Sequence, residues 1–262
     1  MLRQNSESLA QMWAQWITGV QYEINFWDNW LGTGGGRYAE DFNKRMVFGR
    51  PVDSSLAQVI NRLPKPGARI LDVGAGPITC LGSTHDGYDV EIFPTDALAG
   101  QYDELLAKHN LVPEFRTVFA LGEDLELFFG RDSFDIVHCK NALDHAIDPI
   151  RVLLQMLTAC RVGGYVMLRH AHNEAENEKY SGFHQWNLTL RNGDFIVWNR
   201  ESETNFSDEV GGFATHEVLM SDGYLINLFR KRADVPGGLS GNFLERIGAF
   251  QSAVVGSLGK IS

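Results

Sequence analysis

The sequence predicts an α/β fold: a mostly parallel, seven-stranded sheet with helices on both faces, an N-terminal helical cap and a β-hairpin insertion. Three observations predict it. From Ala68 to Arg169 short apolar runs alternate with helical stretches. The first run ends in Gly74-Ala75-Gly76, and an acid, Asp96, stands twenty residues past Gly76, after the second run. Beyond Arg169 two alternating segments flank Arg191-Asn192-Gly193, and Asn-Gly between such segments is a strong hairpin signal.

The elements follow in order. Trp13, Trp16, Phe26, Trp27 and Trp30 recur at spacings near three and four, which predicts helices with one buried face. Residues 32–36 interrupt that pattern, and a polar helix resumes over 38–46. The next helix spans 54–63, with Asp53 or Ser54 as N-cap and Pro64 beyond its end. Strands are expected at 69–73, 89–93, 115–119, 133–138 and 165–169. Helices are expected directly after Gly76, at 101–109 and at 149–161. The hairpin pairs 186–190 with 194–198, further strands lie at 215–220 and 224–229, and a closing helix spans 242–258. One domain results: cap 1–65, nucleotide-binding core 66–170, insertion 171–212 and C-terminal strands and helix 213–262.

Composition narrows the function. A net charge of −10 disfavours a polyanionic partner, and Arg230-Lys231-Arg232 reads as the solvated end of a strand, so no nucleic-acid partner is expected. No stretch approaches the roughly 20 apolar residues of a membrane span. Cys80, Cys139 and Cys160 have no metal-ligand or CxxC spacing, and a cytoplasmic location is expected.

The segment Ile70-Leu71-Asp72-Val73-Gly74-Ala75-Gly76-Pro77 carries the functional reading. Glycines after a strand let backbone approach a ligand, and a helix starting there would offer free N–H groups. Asp96 is placed to accept from ribose hydroxyls. A dinucleotide fingerprint wants a third glycine where Thr79 stands, and Asp72 beside the loop would repel a pyrophosphate. A cationic nucleoside fits better.

These residues resemble the class I S-adenosylmethionine (SAM)-dependent methyltransferases. Leu71-Asp72-Val73-Gly74-Ala75-Gly76 resembles their first motif and Pro94-Thr95-Asp96-Ala97-Leu98 their acidic second. Gly122-Glu123-Asp124-Leu125 is similar to the adenine-bordering segment. Residues 133–145 and Val162-Gly163-Gly164-Tyr165-Val166 resemble the fourth strand with its loop and the turn into the fifth. The resemblance covers about residues 66–170 and implies a Rossmann-like fold with SAM as donor. It places Asp96 on the ribose and Glu123 or Asp124 near the adenine amine, with Asp72, Gly74, Ala75, Gly76, Ala97, Gly122 and Asn141 around the cofactor. Pro77 and Ile78 depart from the pattern.

Reacting groups of such a sheet lie past its carboxyl ends, after the fourth and fifth strands. There stand Asn141-Ala142-Leu143-Asp144-His145 and a polar run from His170 to Asn187. Methyl transfer to a hydroxyl needs a base near neutral pKa. His145 is the first candidate and His184 the second, with Asp144 or Glu174 as orienting partner. Glu174, Glu176 and Glu178 do not converge on one point of a regular element, so no metal site is predicted. Trp186 and Trp198 would wall an acceptor pocket, while Trp27 and Trp30 would either close over the cofactor or pack as core. The Asn-Glu-rich stretch with His184-Gln185-Trp186-Asn187 looks like methyltransferase-like proteins of bacterial surface-polysaccharide pathways. O-methylation of a small molecule, such as a sugar or glycan precursor, is the leading expectation. N- or C-methylation, an NAD-dependent oxidoreductase and a noncatalytic SAM binder are the rivals.

Overall fold

The computed structural model describes residues 6–236 except 222 and 223, with side chains placed for 16–219 and 226–236. The helix expected at 242–258 and the Trp13 side chain lie outside the described residues.

Helix α1 (Ser6–Gly32) is one continuous element rather than several. It stops at the glycine run, and α2 (Ala39–Arg45) and α3 (Ser54–Ile60) follow. The Asp53 carboxylate caps α3 by accepting from the Leu56 amide at 2.9 Å. Strands β1 (Gly67–Val73) and β2 (Asp89–Asp96) are joined without a helix. Then come α4 (Ala99–Lys108), β3 (Val118–Phe119), α5 (Leu125–Phe129), β4 (Phe134–Lys140), α6 (Pro149–Ala159) and β5 (Cys160–Arg169). A short α7 (Glu174–Asn177) precedes β6 (Asn187–Arg191), β7 (Asp194–Trp198) and β8 (Glu203–Asn205). Helix α8 (Phe206–Val210), β9 (Ala214–Ser221) and β10 (Tyr224–Lys231) close the described chain.

The main sheet has the order β3-β2-β1-β4-β5-β10-β9, and β10 alone runs against its neighbours. This is the mostly parallel seven-stranded sheet that was expected. Successive residues of the central strands face opposite layers. Ile70, Ile136 and Met167 pack under α3, whereas Leu71, Val137 and Leu168 pack under α6 and the small sheet. The hairpin is larger than expected, because β8 adds a third strand to β6 and β7. A third cluster joins Trp16, Val20 and Trp30 of α1 to Tyr102 and Leu106 of α4, forming the cap.

The missing helix after β1 corrects the sequence reading. Residues 77–88 are rich in weak helix formers and bond to the chain before α3 instead. The amides of Ser83 and Thr84 donate to Arg50 O, and Val52 N–H donates to Thr84 O. A Cβ on Gly82 would lie 2.1 Å from Pro51 O, so only glycine permits this approach. Helix α3, which precedes β1 in sequence, covers the sheet face beneath.

Candidate functional site

The carboxyl ends of β1, β2 and β4 open into a cavity of about 930 Å³, closed on the far side by α1 and α2. That volume is near the top of the range for ligand sites. The glycine loop forms its floor. The amides of Gly74 and Ala75 donate to Thr95 O (2.9 and 3.0 Å), and Gly76 N–H donates to Asp96 Oδ2 (3.1 Å). Neither the expected helix nor its free N–H groups exist; the neighbouring strand end takes these donors. Gly74 has φ +70°, and a Cβ there would meet the Ala142 methyl at 2.4 Å.

Asp96 accepts from both Gly76 and Leu98 (3.1 and 2.9 Å), which holds its carboxylate at the cavity edge. Burial pushes this carboxyl up to about 6, against the pull of those two amides. Ala97 and Gly122 line the cavity beside it. Glu123 also lines it, and its Oε1 accepts from the amides of Ile147 and Asp148 (3.0 and 3.3 Å). Burial raises the Glu123 carboxyl as well. Asp124 does not reach the cavity. It is buried beneath the 122–124 turn and accepts from the Arg151 guanidinium at 2.8 Å.

Asp72 is also placed differently from expectation. Its carboxylate touches the cavity wall, yet Oδ1 accepts from His138 Nδ1 (2.7 Å) and Oδ2 from Thr79 Oγ1 (2.6 Å). Thr79, standing where a third glycine was sought, thereby latches the loop to β1. Asn141 lines the cavity while its Oδ1 accepts from Ala171 N–H at 3.1 Å, tying the loops after β4 and β5 together.

At the other end of the cavity Asp144, His145 and His184 meet. Asp144 lies just behind the wall, 3% exposed, and its Oδ2 accepts from His184 Nδ1 at 2.7 Å. His145 Nε2 is 3.6 Å from the same oxygen, and both histidines line the cavity. Burial alone would raise the Asp144 carboxyl; His145 and His184 outweigh it and hold the carboxyl below its usual value. Burial likewise opposes the His184 cation. The hydrogen bond and charge of Asp144, with Glu174 and Glu178, outweigh that and raise its pKa. Glu174 therefore acts on His184 through charge across the cavity rather than through a bond to the ring. The ligand-type atoms of Asp144, His145 and His184 fall within 4.8 Å of one another, as do those of Asp72, Cys80 and His138. In both groups the shortest contact is an ordinary hydrogen bond that a chelated ion would have to break.

The aromatic wall reverses another expectation. Trp186 is core, donating Nε1–H to Ala146 O at 3.0 Å, and neither it nor Trp198 lines the cavity. Trp16, Tyr22, Phe26, Trp27 and Trp30 of α1 do, with Tyr38 and Phe183. Trp27 lies against Gly76 and donates to Glu23 at 2.7 Å. Sequence reasoning also missed Arg37, Asp41 and Arg45, which bring charge to the same wall. Their signal was a polar helix following an aromatic one across a glycine break.

Eight carboxylate side chains line the cavity against four of lysine or arginine, so the site is electrostatically suited to a cation. A carboxylate fixed at the end of β2, backbone floor without side chains and a ring-lined lid together fit a cationic nucleoside such as SAM.

The chain belongs to a methyltransferase-domain family, whose profile matches residues 48–210. It is 31% identical over 110 residues to an uncharacterized methyltransferase of Schizosaccharomyces pombe, and the match spans 39% of this chain and 40% of that protein. Among solved structures it is similar to a SAM-dependent methyltransferase of Methanococcus maripaludis (13% identity, 82% of this chain and 94% of the other, TM-score 0.47). The rRNA N2-guanine methyltransferase of Thermus thermophilus, solved with SAM and guanosine, is 16% identical over 73% of this chain and 42% of that one, with TM-score 0.39. Among the described residues no helix is long and apolar enough to cross a membrane.

Proposed function

We propose that this protein methylates a hydroxyl of a small, ring-bearing acceptor, with His184 as the base and Asp144 as its positioning residue. The observation that carries the reading is the buried Asp144 bonded to Nδ1 of a histidine at the cavity wall. That bond assigns the neutral ring its proton at Nδ1, which leaves Nε2 as the proton acceptor. A hydroxyl needs such a base as its oxygen attacks the methyl group; an amine that arrives neutral does not. His145, the first choice from sequence, has its Nε2 buried without a hydrogen-bond partner and turned toward Asp144, so His184 takes precedence.

In this reading SAM supplies a methyl group on a positively charged sulfur. Asp96 accepts from the ribose hydroxyls, and Glu123 with Gly122 borders the adenine. Tyr22, Phe26 and Phe183 offer flat apolar faces to an acceptor ring, as a sugar or an aromatic alcohol would present. The acidic lining supports the cofactor's charge and disfavours a phosphorylated or polynucleotide acceptor.

The test is transfer from labelled SAM to fractionated small molecules, with the product's new bond identified by mass spectrometry and NMR. An O-methyl product, lost on His184→Gln while S-adenosylhomocysteine still binds, supports the reading. An N- or C-methyl product, or full turnover in His184→Gln, overturns it.

A further inference from the structure

We infer that Asp41 and Arg45 of α2 form the receptor for the amino-acid end of the cofactor, holding its ammonium and its carboxylate respectively. The inference deepens the cofactor placement above and rests on it. If Asp96 and Glu123 border the nucleoside, its amino-acid tail runs across the glycine loop, away from β2 and β3. That tail is a zwitterion and needs both signs of charge. Asp72, the anion expected from sequence to meet it, is only 1% exposed and bonded to His138 and Thr79. The wall bordering the far side of the loop carries Asp41 and Arg45 instead, both lining the cavity.

Their geometry is that of a prepared site. Arg45 NH2 lies 2.8 Å from Asp41 Oδ2, and Arg45 NH1 donates to Ile78 O at 2.9 Å, so the guanidinium is anchored on the loop itself. Its plane neighbours the Trp30 ring, 5.4 Å from the centroid. The Arg45 Nε–H is buried and has no hydrogen-bond partner, an arrangement that costs stability unless an acceptor arrives. Arginine presents a fork of donors matched to a carboxylate. Asp41, half exposed beside it, supplies the matching anion for an ammonium.

Calorimetric titration with two ligands tests this. S-Adenosylhomocysteine carries the amino-acid tail; 5′-methylthioadenosine keeps the nucleoside and sulfur but lacks it. Arg45→Gln should weaken the first by about 10- to 100-fold and change the second less than about twofold. Asp41→Asn should show the same selectivity with a smaller loss, and it leaves the Ile78 anchor in place should Arg45→Gln fail to fold. Arg45→Lys, which keeps charge but loses the fork, should fall between. Equal losses for both ligands, or no loss for either, overturn the inference. Failure of the wild-type protein to bind 5′-methylthioadenosine or S-adenosylhomocysteine would instead overturn the cofactor placement.

Discussion

Cofactor affinity should depend on pH through the Asp96 carboxyl. Asp96 is held by two amides, yet burial raises its pKa from 3.8 to about 6. About a tenth of it is therefore ionised at pH 5 and about nine-tenths at pH 7. Ribose hydroxyls donate to the ionised form and favour it, so binding selects the deprotonated protein. The affinity for S-adenosylhomocysteine should rise about tenfold from pH 5 to pH 7. The apo fold should respond in the opposite sense. A folded-state pKa above the unfolded value gives stability that is full below about pH 4 and lost as pH rises through 6. Between pH 5 and 7 that loss amounts to about 1 kcal/mol. Calorimetric titration and urea unfolding at pH 5, 6 and 7 measure both slopes, and Asp96→Asn isolates the residue. The variant should bind more weakly at pH 7 and lose both slopes attributable to this group. A wild-type affinity that changes less than twofold, or an equal slope in Asp96→Asn, would refute the reasoning.

Three further outcomes are expected. Once an acceptor is in hand, His184→Gln should lower kcat by about 10²- to 10⁴-fold with cofactor affinity unchanged. Because the bond and charge of Asp144 raise the His184 pKa, wild-type kcat should climb through a limb above pH 6.5, and Asp144→Asn should move that limb to lower pH. Gly74→Ala should destabilise the fold by about 2–5 kcal/mol, from a left-handed φ and from the clash with Ala142. Adding Ala142→Gly should return the clash portion but not the φ portion, and urea unfolding of the four proteins of that cycle decides.

The strands were legible because buried parallel strands read as apolar runs of the right length, and Asp53, Pro64 and Asn192-Gly193 mark ends that sequence shows directly. The helix after Gly76 was misread because its absence depends on long-range bonds: Gly82 against Pro51, and Arg50 O accepting from Ser83 and Thr84. Glu123 and Asp124 look equivalent in sequence; only the sense of one turn sends the second to Arg151. Tryptophan spacing likewise reports that a helix has a ring-rich face, not whether that face meets core or cavity. Trp186 went to the core and Trp27 to the cavity wall for reasons of packing that no local pattern holds.

The altered loop after β1 explains why the N-terminal segment is part of the site rather than an accessory. A helix there would have fixed residues 77–80 through its own ladder of hydrogen bonds. Lacking it, the loop is held from outside: Thr79 on Asp72, Thr117 Oγ1 on Gly76 O at 2.7 Å, and Arg45 on Ile78 O. One of those three anchors belongs to α2, so the order of the cofactor loop depends on how the cap is seated. Asp28 of α1 seats the cap in turn, accepting from Lys108 and His109 at the end of α4. The family profile begins at residue 48 and takes in the floor of the cavity, with Asp96, Glu123, Asp144 and His184, but not the wall of α1 and α2 opposite. The matched segment therefore holds the floor of the cavity and the Asp144–His184 pair. Under the proposed reading, the grip on the cofactor's charged tail falls to Asp41 and Arg45 outside that segment, and the acceptor faces come from both sides of its boundary, Tyr22 and Phe26 before it and Phe183 within it.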